Sequence, residues 1–312
     1  MNNNRIAYTI VIPAYNEEAN LEELYRKITN VMEGQGEEYE LLCVNDGSTD
    51  GSLETLMRIN KQDPRLTIID FSRNFGRQMA LTAGIDYARG RAVILMDADL
   101  QHPPELIPEL IKKHKEGYDA VYTVREYAPS AGFFKKFTSH LFYRCAVLLG
   151  VSLIPGATEF MLIDSVIVQR LRQSRERFRF LRGIVYWLGF KKATIPYRAP
   201  PRRKGKTKFT LLGMIKLAFD GFFSFSSVPL YLAGYLGLCM SFAGFLYAVY
   251  VLYISLVKKI AIPGWTSVML VMLVFLGIQM ISLGILGAYV GRIYEEIKQR
   301  PLYVVKQTIG IG

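Results

Sequence analysis

The chain has 312 residues, enough for one large domain or two ordinary ones, and with 51% hydrophobic and 12% aromatic residues it has ample material for a core. Its formal net charge of +11 points to a polyanionic partner: nucleic acid, a membrane surface or a phosphorylated substrate. The three cysteines, Cys43, Cys145 and Cys239, are too few and too far apart for a disulfide framework or a zinc site.

The opening "MNNNRIAYTIVIPAYNEE" has no signal-peptide layout, because its apolar stretch is short and ends in a proline and charges. "AYTIVIP" reads as a buried strand, and a helix follows with Leu21, Leu24, Ile28 and Val31 on one face. "YELLCVND" is a second strand with a helix after it. "LTIIDFS" is a third, and "RQMALTAGIDYA" is the helix that follows it. "RAVILMDAD" is a fourth, followed by "PPELIPELIKKHKEG", a helix opened by prolines where the first turn tolerates them. "DAVYTVR" is a fifth. Strands alternating with helices predict an α/β domain, a mostly parallel sheet covered on both faces.

Further along, the solvent changes. No charged residue lies between Asp220 and Lys258, or between Lys259 and Arg292. Each run exceeds the roughly 20 apolar residues that span a bilayer. Lysines and arginines crowd the outer flanks: Arg202, Arg203, Lys204, Lys206, Lys208 and Lys216 on one side, Arg292, Lys298, Arg300 and Lys306 on the other. The short loop "VKKIAIPGWTS" holds two lysines. This bias predicts an inner-membrane protein with both flanks in the cytoplasm and two transmembrane helices. The expected division is a cytoplasmic domain over 1–220, then a hairpin with a short tail over 221–312. Juxtamembrane interfacial helices are expected near 130–150, where "FFKKFTSHLFYRCAVLLG" interleaves aromatic and cationic residues, and near 208–226.

In open α/β sheets ligands bind beyond the carboxyl ends of the strands. Polar residues collect there: Pro13-Ala14-Tyr15-Asn16-Glu17 after the first strand, Asn45-Asp46-Gly47-Ser48 after the second, and Asp97-Ala98-Asp99-Leu100-Gln101 after the fourth. Any one of these is ordinary turn and cap chemistry; three on one rim suggest a site. Carboxylates at i and i+2 repel unless a cation or a shared proton lies between them. Oxygen ligands favour Mg²⁺ or Mn²⁺, and such an ion can clamp a nucleoside diphosphate.

"VIPAYNEE", "VNDGSTDGS", "SRNFGRQMALTAG" and "MDADLQHPPELIPELI" resemble the family-2 glycosyltransferases with the GT-A fold. The narrower likeness is to the polyprenyl-phosphate glycosyltransferases, the group of dolichol-phosphate mannose synthase and the bactoprenol glucosyltransferases. It extends through "RFLRGIVYWLGF", "RRKGKTKF" and "SLGILGAYVGRIYEEIKQRPLYVV". The resemblance implies inverting transfer of one sugar from a nucleotide sugar, usually of uridine, to a polyprenyl phosphate such as undecaprenyl phosphate. It implies that Pro13, Ala14, Tyr15, Asn16, Glu17, Asp46 and Asp97 hold the nucleotide. Asp97, Asp99 and Gln101 match the positions for Mg²⁺ or Mn²⁺ and the diphosphate, with Asp99 catalytic. Arg125, Lys135, Ser139 and Arg202 match the groups that grip the lipid phosphate. The expected partners are therefore a UDP-sugar, the lipid and the membrane, with no nucleic acid, and a homotetramer is possible.

One segment departs from the pattern. Where relatives commonly show "GDFRL" and "DRK", this chain has "ATEFMLIDSV". Glu159 replaces the Asp that serves as a possible base or acceptor-orienting group, and Met161, Ser165 and Val166 stand where basic residues are usual. His102 adjoins the acidic cluster and reads equally as a helix cap, while His114 and His140 read as surface residues. Trp187 fits an acceptor-side wall and Trp265 an interfacial anchor. Two other functions stay open at this level. A processive polysaccharide synthase is disfavoured by the lack of a QxxRW motif, and an anionic-lipid or nucleic-acid binding protein by the intact acidic positions.

Overall fold

The computed structural model describes residues 6–126, 154–198, 228–256 and 264–310. The two expected interfacial helices and the "RRKGKTKF" segment lie outside these. Eight strands form one sheet in the order β7-β5-β6-β4-β1-β2-β3-β8. Its centre is built from β1 (Tyr8–Ala14), β2 (Tyr39–Asn45), β3 (Leu66–Phe71) and β4 (Ala92–Leu95), all parallel. Every residue of these strands is buried, as expected for parallel strands covered on both faces. β4 stops sooner than the apolar run suggests: Met96 makes a last bond to Val11 O (3.1 Å), and the chain then turns out into the rim.

The intervening helices are α1 (Glu18–Glu33), α2 (Ser52–Gln62), α3 (Arg77–Tyr87) and α4 (Ile107–Lys115). α1 buries Leu21, Leu24, Ile28 and Met32, leaving Val31 half-buried. α3 packs so closely on β1 that a Cβ on Gly84 would fall 2.0 Å from Val11 Cγ1.

β5 (Ala120–Arg125) does not join β4 directly. An antiparallel strand, β6 (Ala157–Asp164), runs between them, and β7 (Lys192–Tyr197) lies parallel to β5 at the edge. Two short helices, α5 (Ser165–Gln173) and α6 (Leu181–Trp187), lie between β6 and β7 in the chain. Asp164 caps α5: Oδ1 accepts from Val166 N (2.9 Å) and Ser165 Oγ (3.0 Å), while Oδ2 meets His114 Nε2 at 2.9 Å. His114, expected on the surface, is mostly enclosed by this pairing.

At the other edge β8 (Val305–Ile309) pairs antiparallel with β3. The residues from Arg300 on, expected as a tail of the hairpin part, thus belong to the sheet unit. Tyr303 stacks on Phe71 (5.2 Å between centroids) and donates to Asp86 Oδ2 (2.8 Å), and Gln307 donates to Asp70 Oδ2 (3.0 Å).

The second unit holds α7 (Val228–Leu256) and α8 (Trp265–Ile297). Their apolar stretches, Leu230–Val251 and Val271–Ile297, are long and apolar enough to cross a membrane, with mean hydropathies of 1.7 and 2.2. Side chains such as Leu238, Phe242, Phe245, Leu273 and Ile281 are exposed along them. The helices come close at Gly244, where an added Cβ would fall 3.7 Å from the Phe275 ring.

Burial pushes the Asp164 carboxyl up, but bonds from the Val166 amide, His114 and Ser165 outweigh it and hold the group below its ordinary value. Its contribution is therefore present above the unfolded carboxyl's pKa and lost as pH falls through the lower folded one. Removing the cap in Asp164→Ala should cost about 1 kcal/mol, a fall of about 2–4 °C in midpoint. Thermal scans at pH 7 and below pH ~4 check this; the deficit should shrink in acid.

Candidate active site

The rim is set by strands that end level. Ala14 pairs with Asn45, and the Asp46 amide donates to Ala14 O (2.8 Å). Beyond β1 the chain passes through exposed Tyr15 to Asn16, whose φ of 55° lies in the left-handed region. Asparagine tolerates that conformation better than most residues. Asn16 N–H donates to Ser48 Oγ (3.0 Å), and Thr49 N–H donates to Asn16 Oδ1 (2.8 Å), so the first two loops are laced together. Glu17 turns toward its own helix, donating its amide to Ser52 Oγ (2.9 Å) and accepting from Asn20 Nδ2 (2.6 Å).

Asp46 is buried, and both its oxygens accept backbone amides of the β3–α3 loop: Phe75 N to Oδ1 (2.7 Å) and Gly76 N to Oδ2 (3.0 Å). Burial raises its pKa and these two bonds oppose the rise. Gly47 must be glycine here. Its φ is 65°, and a Cβ would fall 2.4 Å from the Arg73 carbonyl carbon.

After β4 the chain makes a second strained turn, with Leu100 at φ 58°. A left-handed conformation costs a bulky residue about 1–2 kcal/mol. Three bonds hold this loop. Asp97 N–H donates to His102 Nδ1 (2.9 Å), Gln101 N–H to Asp99 Oδ1 (3.1 Å), and Arg125 Nη1 to Gln101 Oε1 (3.4 Å). Accepting at Nδ1 assigns the His102 proton to Nε2. The ring is buried, stacked on Phe160 (5.2 Å) and edge-on to Tyr197 (6.4 Å), and burial holds it below its usual range, hence neutral. His102 thus anchors the acidic loop from beneath.

Arg77, the first residue of α3, reaches Asp97: Nε lies 2.6 Å from Oδ1. Partial withdrawal from water lowers the guanidinium's pKa, but Asp97, Glu159 and Asp99 together outweigh this and leave it above its ordinary value. Next to it, Gln78 donates to Glu159 Oε1 (3.2 Å) and accepts from Leu181 N–H (3.4 Å). Arg182 Nε lies 3.9 Å from the same Glu159 oxygen and a further nitrogen of its guanidinium donates to Ala157 O. Glu159 itself is only 6% exposed, and its Oε2 is enclosed with no hydrogen-bond partner among the described residues.

The structure therefore brings Asn16, Asp46, Asp97, Asp99, Gln101 and Arg125 to one rim, with Glu159 beneath it. Lys135, Ser139 and Arg202 lie outside the described residues. The sequence departures lose much of their weight. Met161 is wholly buried opposite Leu95 and Tyr122, and Ser165 and Val166 begin α5 past Asp164, which pairs with Ala92 at the far end of β4. Trp187 ends α6, three-quarters exposed, and Lys192 just beyond is level with Ala120, at the opposite end of β5 from Arg125. Sequence reasoning missed the contacts of Arg77, Gln78 and Arg182. The first two stand in "SRNFGRQMALTAG", where a charged and an amide residue opening an otherwise apolar helix were the available signal.

Among the described residues no three His, Cys, Asp or Glu side chains form a metal cluster. Asp97, Asp99 and Gln101 offer oxygen donors only, two of them carboxylates. That set suits a hard cation such as Mg²⁺ or Mn²⁺ whose remaining ligands come from substrate phosphates and water.

A covered, mostly parallel sheet whose first, second and fourth strands end in these three loops is the GT-A arrangement. Residues 9–170 match the family model "Glycosyl transferase family 2", and the chain belongs to that family: it is a glycosyltransferase. It is 48% identical over 307 residues to the "Uncharacterized glycosyltransferase YkcC" of Bacillus subtilis (strain 168), covering 98% of this chain and 95% of that one. It is 34% identical over 301 residues to the "Bactoprenol glucosyl transferase" of Shigella phage SfII, covering 96% and 97%. Among solved structures it is similar to glucosyl-3-phosphoglycerate synthase from Mycobacterium tuberculosis, with a TM-score of 0.47 and 17% identity over 71% of this chain and 80% of that one.

Two substitutions test the rim. His102→Phe keeps the stack on Phe160 but strands the Asp97 amide, and should lower glycosyltransferase turnover about tenfold. His102→Asn, which can still present an acceptor, should retain more of it. Gly47→Ala should displace the Arg73–Asn74 backbone and with it the bonds to Asp46. Turnover should fall at least tenfold with the chain still folded by circular dichroism.

Proposed function

We propose that this glycosyltransferase moves a single sugar, with inversion, from a UDP-sugar to a polyprenyl phosphate at the cytoplasmic face of the inner membrane. The observation that carries this reading is the end-to-end likeness to bactoprenol glucosyl transferases. The likeness spans 96% of the chain, and so includes both apolar helices as well as the catalytic sheet.

The chemistry of the rim supports it. A phosphate monoester has its second pKa near ~6, so a lipid phosphate is already a nucleophile at neutral pH and needs no strong base. The harder task is bringing two anions together. In this reading Pro13 to Glu17 and Asp46 shape the nucleotide pocket, and Arg125 receives the lipid phosphate together with Lys135, Ser139 and Arg202. Asp97, Asp99 and Gln101 hold Mg²⁺ or Mn²⁺, which when bound would stabilise the departing diphosphate. Asp99 is the group whose loss is most damaging. Glu159, enclosed and bonded to Gln78, keeps its catalytic role in this reading by orienting the groups around it.

Connectivity supports the membrane arrangement. β7 precedes the two apolar helices and β8 follows them, yet both belong to one sheet. A single sheet cannot lie on both sides of a bilayer, so the number of crossings between them is even. Two helices with basic outer flanks then give a cytoplasmic catalytic domain and a hairpin anchor.

The test uses detergent-solubilised full-length protein, undecaprenyl phosphate, Mg²⁺ or Mn²⁺ and a panel of nucleotide sugars, with lipid products read by mass spectrometry. One sugar-phosphate lipid is expected, abolished by chelator and reduced about a hundredfold or more in Asp99→Ala. A polymer, or full activity in Asp99→Ala, would refute the reading.

A further inference from the structure

Arg77 is a strong charge at this rim that belongs neither to the acidic loop nor to the lipid-phosphate grip. Its Nε lies 2.6 Å from Asp97 Oδ1, and Asp99 and Glu159 also act on it, so one guanidinium faces three carboxylates. Its two chain neighbours are both tied, one through its backbone amide and one through its side chain. Gly76, just before it, is held by Asp46 (3.0 Å), and Gln78, just after it, is held by Glu159 (3.2 Å). The side chain is nevertheless 45% exposed, so its tip can leave Asp97 without unpacking a core. α3 packs on β1 and β2. Arg77 therefore starts between the loop carrying Asp46 and the loop carrying Asp97, the two places where a nucleoside diphosphate would span.

Carboxylates at i and i+2 need a positive charge between or beside them. Arg77 supplies one from within the chain. A divalent ion at the same carboxylates competes with it for Asp97, and a diphosphate arriving with that ion offers the guanidinium a better anion, which it can grip bidentately.

We propose that Arg77 is an exchangeable internal counter-ion: it holds Asp97 until a metal–diphosphate binds, then transfers to a diphosphate oxygen and stabilises the leaving group. This rests on the nucleotide-sugar reading above. It makes metal and nucleotide binding mutually dependent, because each removes the obstacle to the other.

The test compares wild type, Arg77→Met and Arg77→Lys as full-length protein. Mn²⁺ binding is followed by electron paramagnetic resonance with and without UDP, and UDP binding by calorimetry. Without nucleotide, R77M should bind Mn²⁺ about tenfold tighter than wild type, since a directly opposing charge is gone. With Mn²⁺ present it should bind UDP about tenfold more weakly, and turnover should fall about a hundredfold. R77K should lie between. Equal Mn²⁺ affinity in wild type and R77M, or unchanged UDP affinity, overturns the proposal. A wild-type chain that binds neither UDP nor Mn²⁺ sinks the nucleotide-sugar reading itself. Wild type that binds both, with R77M behaving identically, sinks only the role of Arg77.

Discussion

A single buried carboxylate organises the working end of this sheet. Asp46 stands at the end of β2 and accepts two consecutive backbone amides, of Phe75 and Gly76, from the loop after β3. Those bonds fix the start of α3, and the start of α3 carries Arg77 and Gln78. Through them the tie extends to Asp97 on one side and to Glu159 on the other. Partly buried backbone amides left without acceptors are costly, so these two bonds favour this loop conformation. The glycine beside it, hard against the Arg73 backbone, brings the two loops close enough for the bonds to form.

The acidic loop after β4 faces the opposite problem, an excess of like charge in little space. Its answer combines geometry and counter-charge. Leu100 takes a conformation that a leucine adopts at some cost, which lets the chain double back so that His102 meets the Asp97 amide. A neutral, buried imidazole accepts that bond without adding charge, and among the described residues Arg77, on Asp97, and Arg125, on Gln101, bring positive charge to the loop. Strain concentrated at such loops is a common feature of sites whose surroundings over-determine them.

Much of this was readable from the chain alone because parallel, doubly covered strands appear as unbroken apolar runs. The first five strands and the three polar clusters behind them were read that way, and the family comparison agrees with the likeness those motifs carry. Three strands were not read. β6 mixes Thr158 and Glu159 with apolar residues; β7 is an edge strand interrupted by Pro196; β8 places Lys306, Gln307 and Thr308 in exposed succession. Nor does local pattern encode contacts such as Glu159 with Gln78 or Tyr303 with Asp86, which join residues far apart in sequence. His114 is half-buried for the same reason: its ring meets Asp164, fifty residues on, and Tyr8. Met161 shows the converse, a substitution that looks functional in a motif and proves to be packing in the fold.

The strand that closes the sheet leaves the ribosome only after both apolar helices have been made. Until β8 is made, β3 presents an open edge, Phe71 lacks the ring of Tyr303, and Asp86 lacks its phenol partner. Everything between β7 and β8 in the chain, including both apolar helices, must be synthesised before that edge is covered. Completion of the sheet is therefore coupled in time to synthesis of the two long apolar helices. A chain truncated between the two apolar helices would keep a bare strand edge, the kind of surface that templates aggregation.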